Sequence, residues 1–253
     1  IKELDNHSFS LDNIDINSKI CFVCGSGNNG GDGYACADIL NRMGFDVIVI
    51  YNNLPSTDDC KFFFNEYKDH NGIAHPFISS DKTAELMIDS NIIVDCLFGI
   101  GFHGLLNEID SSIISLINDC DSLVISCDIP SGTIADNAEF YNAVCADITV
   151  SFSSLKVANV SYPALEYNGK VILKDIGIPK EILDNFSEDD IIALADDKSI
   201  ISPKRYINSH KGTYGTVAMY CGSDNMIGAA YFAASSALRC GVGLVKICSE
   251  RSA

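Results

Sequence analysis

Three short stretches of this 253-residue chain join glycines to acids, amides or hydroxyls at spacings that suit work on a phosphate-bearing ligand. The first is "CGSGNNGGDG", residues 24–33. Gly25, Gly27 and Gly30 fit a G-x-G-x-x-G pattern, and Gly31 and Gly33 follow closely, so the backbone can approach a ligand and offer N–H groups to phosphate. Asn28 and Asn29 either make tight turns, since Asn tolerates left-handed backbone angles, or supply an amide oxygen to a hard cation and an amide grip on a substrate. Asp32 either caps a helix or faces the ligand. Use of NAD(P) as a hydride-transfer cofactor also needs an acid about 20 residues on, at the end of the second strand, for the ribose hydroxyls. That strand ends here in Tyr51, Asn52 and Asn53, which disfavours the oxidoreductase reading.

The second stretch is "DCLFGIGFHG", residues 95–104, and the third "DIPSG", residues 128–132. Asp95 and Asp128 each close an apolar run, where a carboxylate either braces a loop or meets a cation or donor that offsets its desolvation. Ser131 follows Pro130 in a sharp turn. Two carboxylates, an Asn and a hydroxyl gathered at one sheet edge, without a His or Cys cluster, favour an alkali or alkaline-earth cation over zinc. His103 either touches the ligand or faces solvent. Lys156, after "TVSFSSL", has the charge to neutralise a phosphate, although a single lysine at a strand end is ordinarily solvated.

The elements that must position these loops alternate. Apolar runs at 19–24, 46–51, 91–98, 122–129 and 147–152 read as buried strands, and "KVILKDIGIP" (170–179) adds a late one. Helical spacing appears from Asp32 to Met43, with Ala35, Ile39, Leu40 and Met43 on one face and Gly44 as the stop, and again over 57–69, 81–90 and 110–118. This order predicts βαβ units, a parallel sheet with helices on both faces, and ligands outside the carboxyl ends of the strands. An acidic junction over 180–205 precedes a fresh β-α-β, "GTVAMYCGS", "GAAYFAASSALRCG" and "GLVKIC".

A net charge of -17 argues against nucleic acid and an anionic membrane surface as partners, and no apolar run is long enough to span a bilayer. The eleven cysteines lie mostly in apolar runs, as reduced, buried residues of a cytoplasmic protein would. Cys21 and Cys24 form a C-x-x-C whose side chains point to opposite faces of a strand, which suits neither a metal nor a redox pair. The chain begins at Ile1 and stops soon after "GLVKICSE", as a piece of a longer protein would.

"GSGNNGGDG", "VDCLFGIGFHG" and "DIPSG", in this order and spacing, closely resemble the NAD(P)H-hydrate epimerase family, and "ADITVSFSSLK" and "YNGKVILKDIGIP" are similar to its later strands. The resemblance covers about residues 19–180. It implies a Rossmann-like three-layer α/β/α fold and interconversion of the R and S epimers of hydrated NADH or NADPH (NADHX, NADPHX). It further implies a potassium ion held by Asn29, Asp95 and Ser131. Substrate contacts would fall on Asn28, Asn29, Gly30, Gly31 and Asp32, on Gly99, Ile100, Gly101, Phe102, His103, Gly104 and Leu105, and on Asp128. Asp128 is the first choice as catalytic acid and base and Asp95 the second, because a cation ligand is less free to carry a proton.

Residues 209–247 resemble the opening of an ADP-dependent NAD(P)H-hydrate dehydratase domain, which is ribokinase-like. The whole is therefore similar to the bifunctional hydrate repair enzymes, with an epimerase domain over 1–195 and a truncated dehydratase domain over 196–253 that lacks its later anion-binding motif and is expected to be inactive. The family's N-terminal helix is expected to be mostly missing, and a homodimer or higher homo-oligomer is implied. A non-catalytic binding scaffold on the same fold is the alternative from a different class.

Overall fold

The computed structural model describes residues 18–183 and 205–249. The residues ahead of the first strand, where the family's N-terminal helix is expected to be mostly missing, and most of the 180–205 junction lie outside the described residues. The chain divides into two compact units, Ile1–Ile191 and Ile192–Ala253.

In the first unit the strands are β1 (Lys19–Cys24), β2 (Asp46–Tyr51), β3 (Ile73–Pro76), β4 (Ile92–Cys96), β5 (Leu123–Cys127), β6 (Ile148–Phe152) and β7 (Lys170–Lys174). The helices are α1 (Asn28–Arg42), α2 (Asp58–Asp69), α3 (Ser80–Met87), α4 (Glu108–Asp119), α5 (Val157–Val160) and α6 (Lys180–Leu183). The strands form one sheet in the order β3-β2-β1-β4-β5-β6-β7, every pair parallel.

Period-two alternation sorts the strand residues into two cores. Cys21, Val23, Ile48, Ile50 and Ile93 pack with Met87 of α3 and Ile113, Ile114 and Ile117 of α4. Ile20, Phe22, Cys24, Val47, Val49 and Cys96 pack on the other face with Tyr34 and Ala37 of α1 and Cys60 and Tyr67 of α2. The result is the expected α/β/α layering. Cys21 and Cys24 do lie on opposite faces, and both are free thiols. Burial pushes the thiol of Cys21 up to about 12 and that of Cys60 up to about 11, so both stay protonated packing groups.

Two local expectations need correction. α1 starts at Asn28, four residues before Asp32, and its buried face is Gly30, Gly33, Tyr34 and Ala37; Ile39 and Met43 are 51% and 62% exposed. The buried stripe keeps the i, i+3, i+4, i+7 spacing but begins on glycines, which carry no apolar side chain to reveal it. The four-residue strand β3 was not foreseen: "IAHP" is short, half exposed and ends in proline, as an edge strand can.

The second unit has β8 (Thr216–Tyr220), α7 (Ile227–Arg239) and β9 (Leu244–Cys248), its two strands pairing in parallel.

Candidate functional site

Strand order reverses between β1 and β4, so the crevice at their carboxyl ends is the switch point where ligands of such sheets bind. Glycines bring the backbone together there. A Cβ on Gly25 would stand 1.9 Å from the carbonyl oxygen of Leu97, and one on Gly30 would stand 1.9 Å from that of Gly25. The N–H of Gly25 donates to the carbonyl of Cys96 at 3.0 Å, joining the first and second loops. Gly27, with nothing within 4 Å of an added Cβ, is the N-cap of α1, and no side chain caps that helix. Its first-turn N–H groups thus face the crevice mouth, where the dipole favours an anion.

Asn28 and Asn29 are the first two residues of α1 and make no tight turn. Asn28 is exposed. Asn29 lies against Gly99, whose added Cβ would be 3.2 Å from the Cβ and Cγ of Asn29. The Nδ2 of Asn29 is buried without a partner. Rotating the amide places its oxygen in the same position, since the two ends are nearly isosteric.

Asp95, near the end of β4, is fully buried. Its Oδ1 accepts from Leu97 N at 3.2 Å and Ser131 Oγ at 2.5 Å; its Oδ2 accepts from Ser126 Oγ at 2.8 Å and Ser131 N at 2.9 Å. Burial holds its carboxyl above the ordinary aspartate value, and these donors offset only part of that. The Oγ of Ser131 also accepts from Phe98 N at 2.8 Å, which leaves one lone pair unused. A cation here would meet a desolvated carboxylate, a hydroxyl oxygen and a buried amide end, the hard donors an alkali ion takes. Among the described residues no three His, Cys, Asp or Glu side chains are placed to hold a metal ion, so mixed oxygens are what the site offers.

Ser126 was missed by the sequence reading. The signal was there: it is the one hydroxyl inside the apolar run "LVISC", and β4–β5 register sets it directly opposite Asp95.

Asp128 sits just past β5 with φ 69°, a left-handed conformation that costs a non-glycine residue about 1–3 kcal/mol and needs support from its surroundings. Its N–H donates to the carbonyl of Val150 at 2.8 Å, and its Oδ1 accepts from Phe152 N at 3.3 Å and from the ammonium of Lys156. Lys156 is thus not a solvated lysine: its side chain is 14% exposed and that of Asp128 10%. Burial of the partner carboxylate draws the ammonium inward, which a strand-end position could not reveal.

Asp32 is the fifth residue of α1, not its cap. Although it reaches solvent, desolvation by the surrounding protein, then the like charges of Asp128 and Asp59, hold its carboxyl above the usual value. Asp32 and Asp128 are therefore near enough for their charges to oppose each other. The second loop passes the same edge, with Phe98 stacked on Phe102 at 4.8 Å and Gly104 at φ 108°. Gly99 and Phe102 are half-buried, while Ile100, Gly101, His103, Gly104 and Leu105 are exposed. Where a dinucleotide cofactor's ribose acid would stand, Asn52 instead donates its amide to Asp110 of α4 at 2.7 Å.

Comparison with known proteins bears on these loops. The chain is 33% identical over 246 residues to a bifunctional NAD(P)H-hydrate repair enzyme of Thermofilum pendens, covering 94% of this chain and 46% of that one. It is 35% identical over 236 residues to the enzyme of the same name from Dictyoglomus turgidum, covering 90% and 45%. The chain thus spans about half the length of the curated relatives it matches. In fold it is similar to the yeast protein ynu0, with a TM-score of 0.58, 21% identity, and coverage of 74% of this chain and 83% of that one. Residues 9–158 match the family described as YjeF-related protein N-terminus, and since that match takes in more than half of the sequence and all three loops, the chain belongs to this family.

Proposed function

We propose that the first unit is an NAD(P)H-hydrate epimerase, taking NADHX or NADPHX as substrate and inverting its hydrated carbon. The observation that carries the reading is the Asp95–Ser131 pair at the carboxyl end of β4, with Asn29 against Gly99 at the β1–β4 switch point and Asn52 in place of a ribose acid. The repair-enzyme relatives support it.

The substrate's phosphates sit on the unpaired N–H groups of the first turn, Asn28 to Gly30, in a protein whose charge of -17 would otherwise repel them. Residues 99–105, in the loop after β4, contact the substrate in this reading. Inversion requires a bond of the hydroxylated carbon to break and re-form on the other face, with one group taking and returning a proton. Asp128 suits that role because its Oδ2 accepts no hydrogen bond from the described protein, whereas both oxygens of Asp95 are occupied. Asn29, Asp95 and Ser131 would hold a potassium ion, which would supply positive charge to the site.

Residues 1–195 form the epimerase domain in this reading, and 196–253 open a ribokinase-like dehydratase domain that, in a full-length parent, removes water from the S epimer using ADP. We place the protein in the cytoplasm as a homodimer or higher homo-oligomer. Support for a reducing compartment is the set of buried free thiols Cys21, Cys24, Cys60 and Cys96; among the described residues no helix is long and apolar enough to cross a membrane.

The test is a single purified epimer of hydrated NADH incubated with the protein and potassium, its R/S composition followed by chromatography. Equilibration faster than in buffer is expected. No acceleration, including from a chain of the relatives' full length, overturns the reading.

A further inference from the structure

Lys156 stands beside the site with a charge the reading above does not use. Its Nζ donates to Oδ1 of Asp128, to the carbonyl of Phe152 at 2.9 Å and to Ser151 Oγ at 3.3 Å. An ammonium has three hydrogens, and all three are taken, so none is left for a phosphate. Its backbone is fixed as firmly: the N–H of Lys156 donates to Oδ1 of Asn159 at 2.8 Å. The amide of the same Asn159 donates to the carbonyl of Asp128 at 3.3 Å and to Oδ1 of Asn168 at 2.9 Å. Asn168 is buried and spends its own amide on the carbonyls of Ala158 and Ala164. One buried asparagine therefore ties the lysine's backbone to the backbone of the carboxylate it pairs with.

We infer that Lys156 is the positioning residue of this site: it pairs with Asp128 through Oδ1, so that Oδ1 is pinned and Oδ2 is presented to the substrate. The inference rests on the epimerase reading and on Asp128 as its acid and base. Three charges lie about Asp128 or its neighbour: Lys156 from the loop after β6 pairs with it, while Asp32 of α1 feels the like charges of Asp128 and of Asp59 of α2. Removing Lys156 leaves the acids unopposed.

The experiment compares the full chain with Lys156→Met, Lys156→Arg, Asp128→Asn and the double variant Asp128→Asn/Lys156→Met, after circular dichroism shows each to be folded. Lys156→Met is expected to lower kcat by roughly 100-fold, with KM changed by less than about threefold, since only the reacting carboxylate is disturbed. The acid limb of its pH–rate profile should move up by about 1–3 pH units, the effect of losing an adjacent cation. Lys156→Arg keeps the charge and should keep the profile. Adding Lys156→Met to Asp128→Asn should cost almost nothing further, because the lysine acts through that carboxylate. A second readout needs no turnover: the carboxyl-carbon NMR signal of Asp128 should titrate at higher pH in Lys156→Met than in the parent. An unmoved profile and NMR titration, or multiplicative losses in the double variant, overturn the inference while leaving the epimerase reading standing. A parent that epimerises nothing yet shows the NMR shift overturns the epimerase reading and leaves the Asp128–Lys156 pairing in place.

Discussion

Ser131 holds Asp95 by both ends: its hydroxyl donates to Oδ1 at 2.5 Å and its backbone N–H to Oδ2 at 2.9 Å. The same hydroxyl accepts from Phe98 N at 2.8 Å, so one side chain joins the β5 loop to the β4 loop. Ser131→Ala removes a donor from a buried carboxylate and the acceptor of a backbone N–H. The expected loss is about 1–3 kcal/mol of stability, measured by urea unfolding. Ser115→Ala, on the exposed side of α4, should stay within about 0.5 kcal/mol. Equal effects would mean that the Asp95–Ser131 contact contributes nothing.

The buried amide end of Asn29, next to Gly99, predicts a response to cations. At constant ionic strength, potassium should raise the melting temperature above that in lithium, by about 2–4 °C for each kcal/mol of binding. Asn29→Ala should abolish the difference. Identical melting in the two salts would dismiss a potassium site at these residues.

Asp32 gives a pH prediction whose sign follows from its raised carboxyl. The folded state then holds this proton to higher pH than the unfolded chain, so the associated stability is full below the unfolded value and is lost as pH rises through the folded one. Asp32→Asn should flatten stability against pH from about 4 upward and make the protein more stable than the parent near pH 7. Urea titrations across that range check it; a parallel pair of curves would show that Asp32 carries no such load.

Asp128→Asn keeps shape and removes the base. Epimerisation should fall by about 10²–10⁴-fold while affinity for the dinucleotide, read by calorimetry, changes little. Turnover like the parent's would move the acid and base role elsewhere.

The glycines of the first loop separate into two kinds. Gly25→Ala and Gly30→Ala each place a Cβ 1.9 Å from a backbone oxygen, and each should destabilise the fold by about 3 kcal/mol or more. Gly27→Ala meets nothing and should cost about 1 kcal/mol or less, chiefly through poorer capping. Thermal or urea unfolding of the three variants distinguishes packing glycines from one left open at the crevice mouth.

Much of this architecture was legible before any coordinate. The apolar runs around Phe22, Val49, Ile93 and Val124 had the length and turn boundaries of buried parallel strands, and helical spacing over 57–69 marked α2. β3 was not legible because an edge strand buries too little to need an apolar run. The start and face of α1 were misread because Gly30 and Gly33 pack through the absence of a side chain. Lys156 looked like a solvated strand-end lysine until Asp128 was seen beside it.

Burial pattern and turn chemistry act over a few residues, so composition and spacing alone settled the layering, the parallel sheet and which three loops end at its carboxyl edge. Which side chains meet there was a tertiary matter. Asp95 and Ser131 are 36 residues apart and Asp128 and Lys156 are 28 apart, and their pairing depends on the β4–β5 register and on the left-handed turn at Asp128. Neither local propensity nor hydrophobic period encodes a partner at that separation; only the packed sheet, which withdraws these carboxylates from water and obliges each to find donors, selects it.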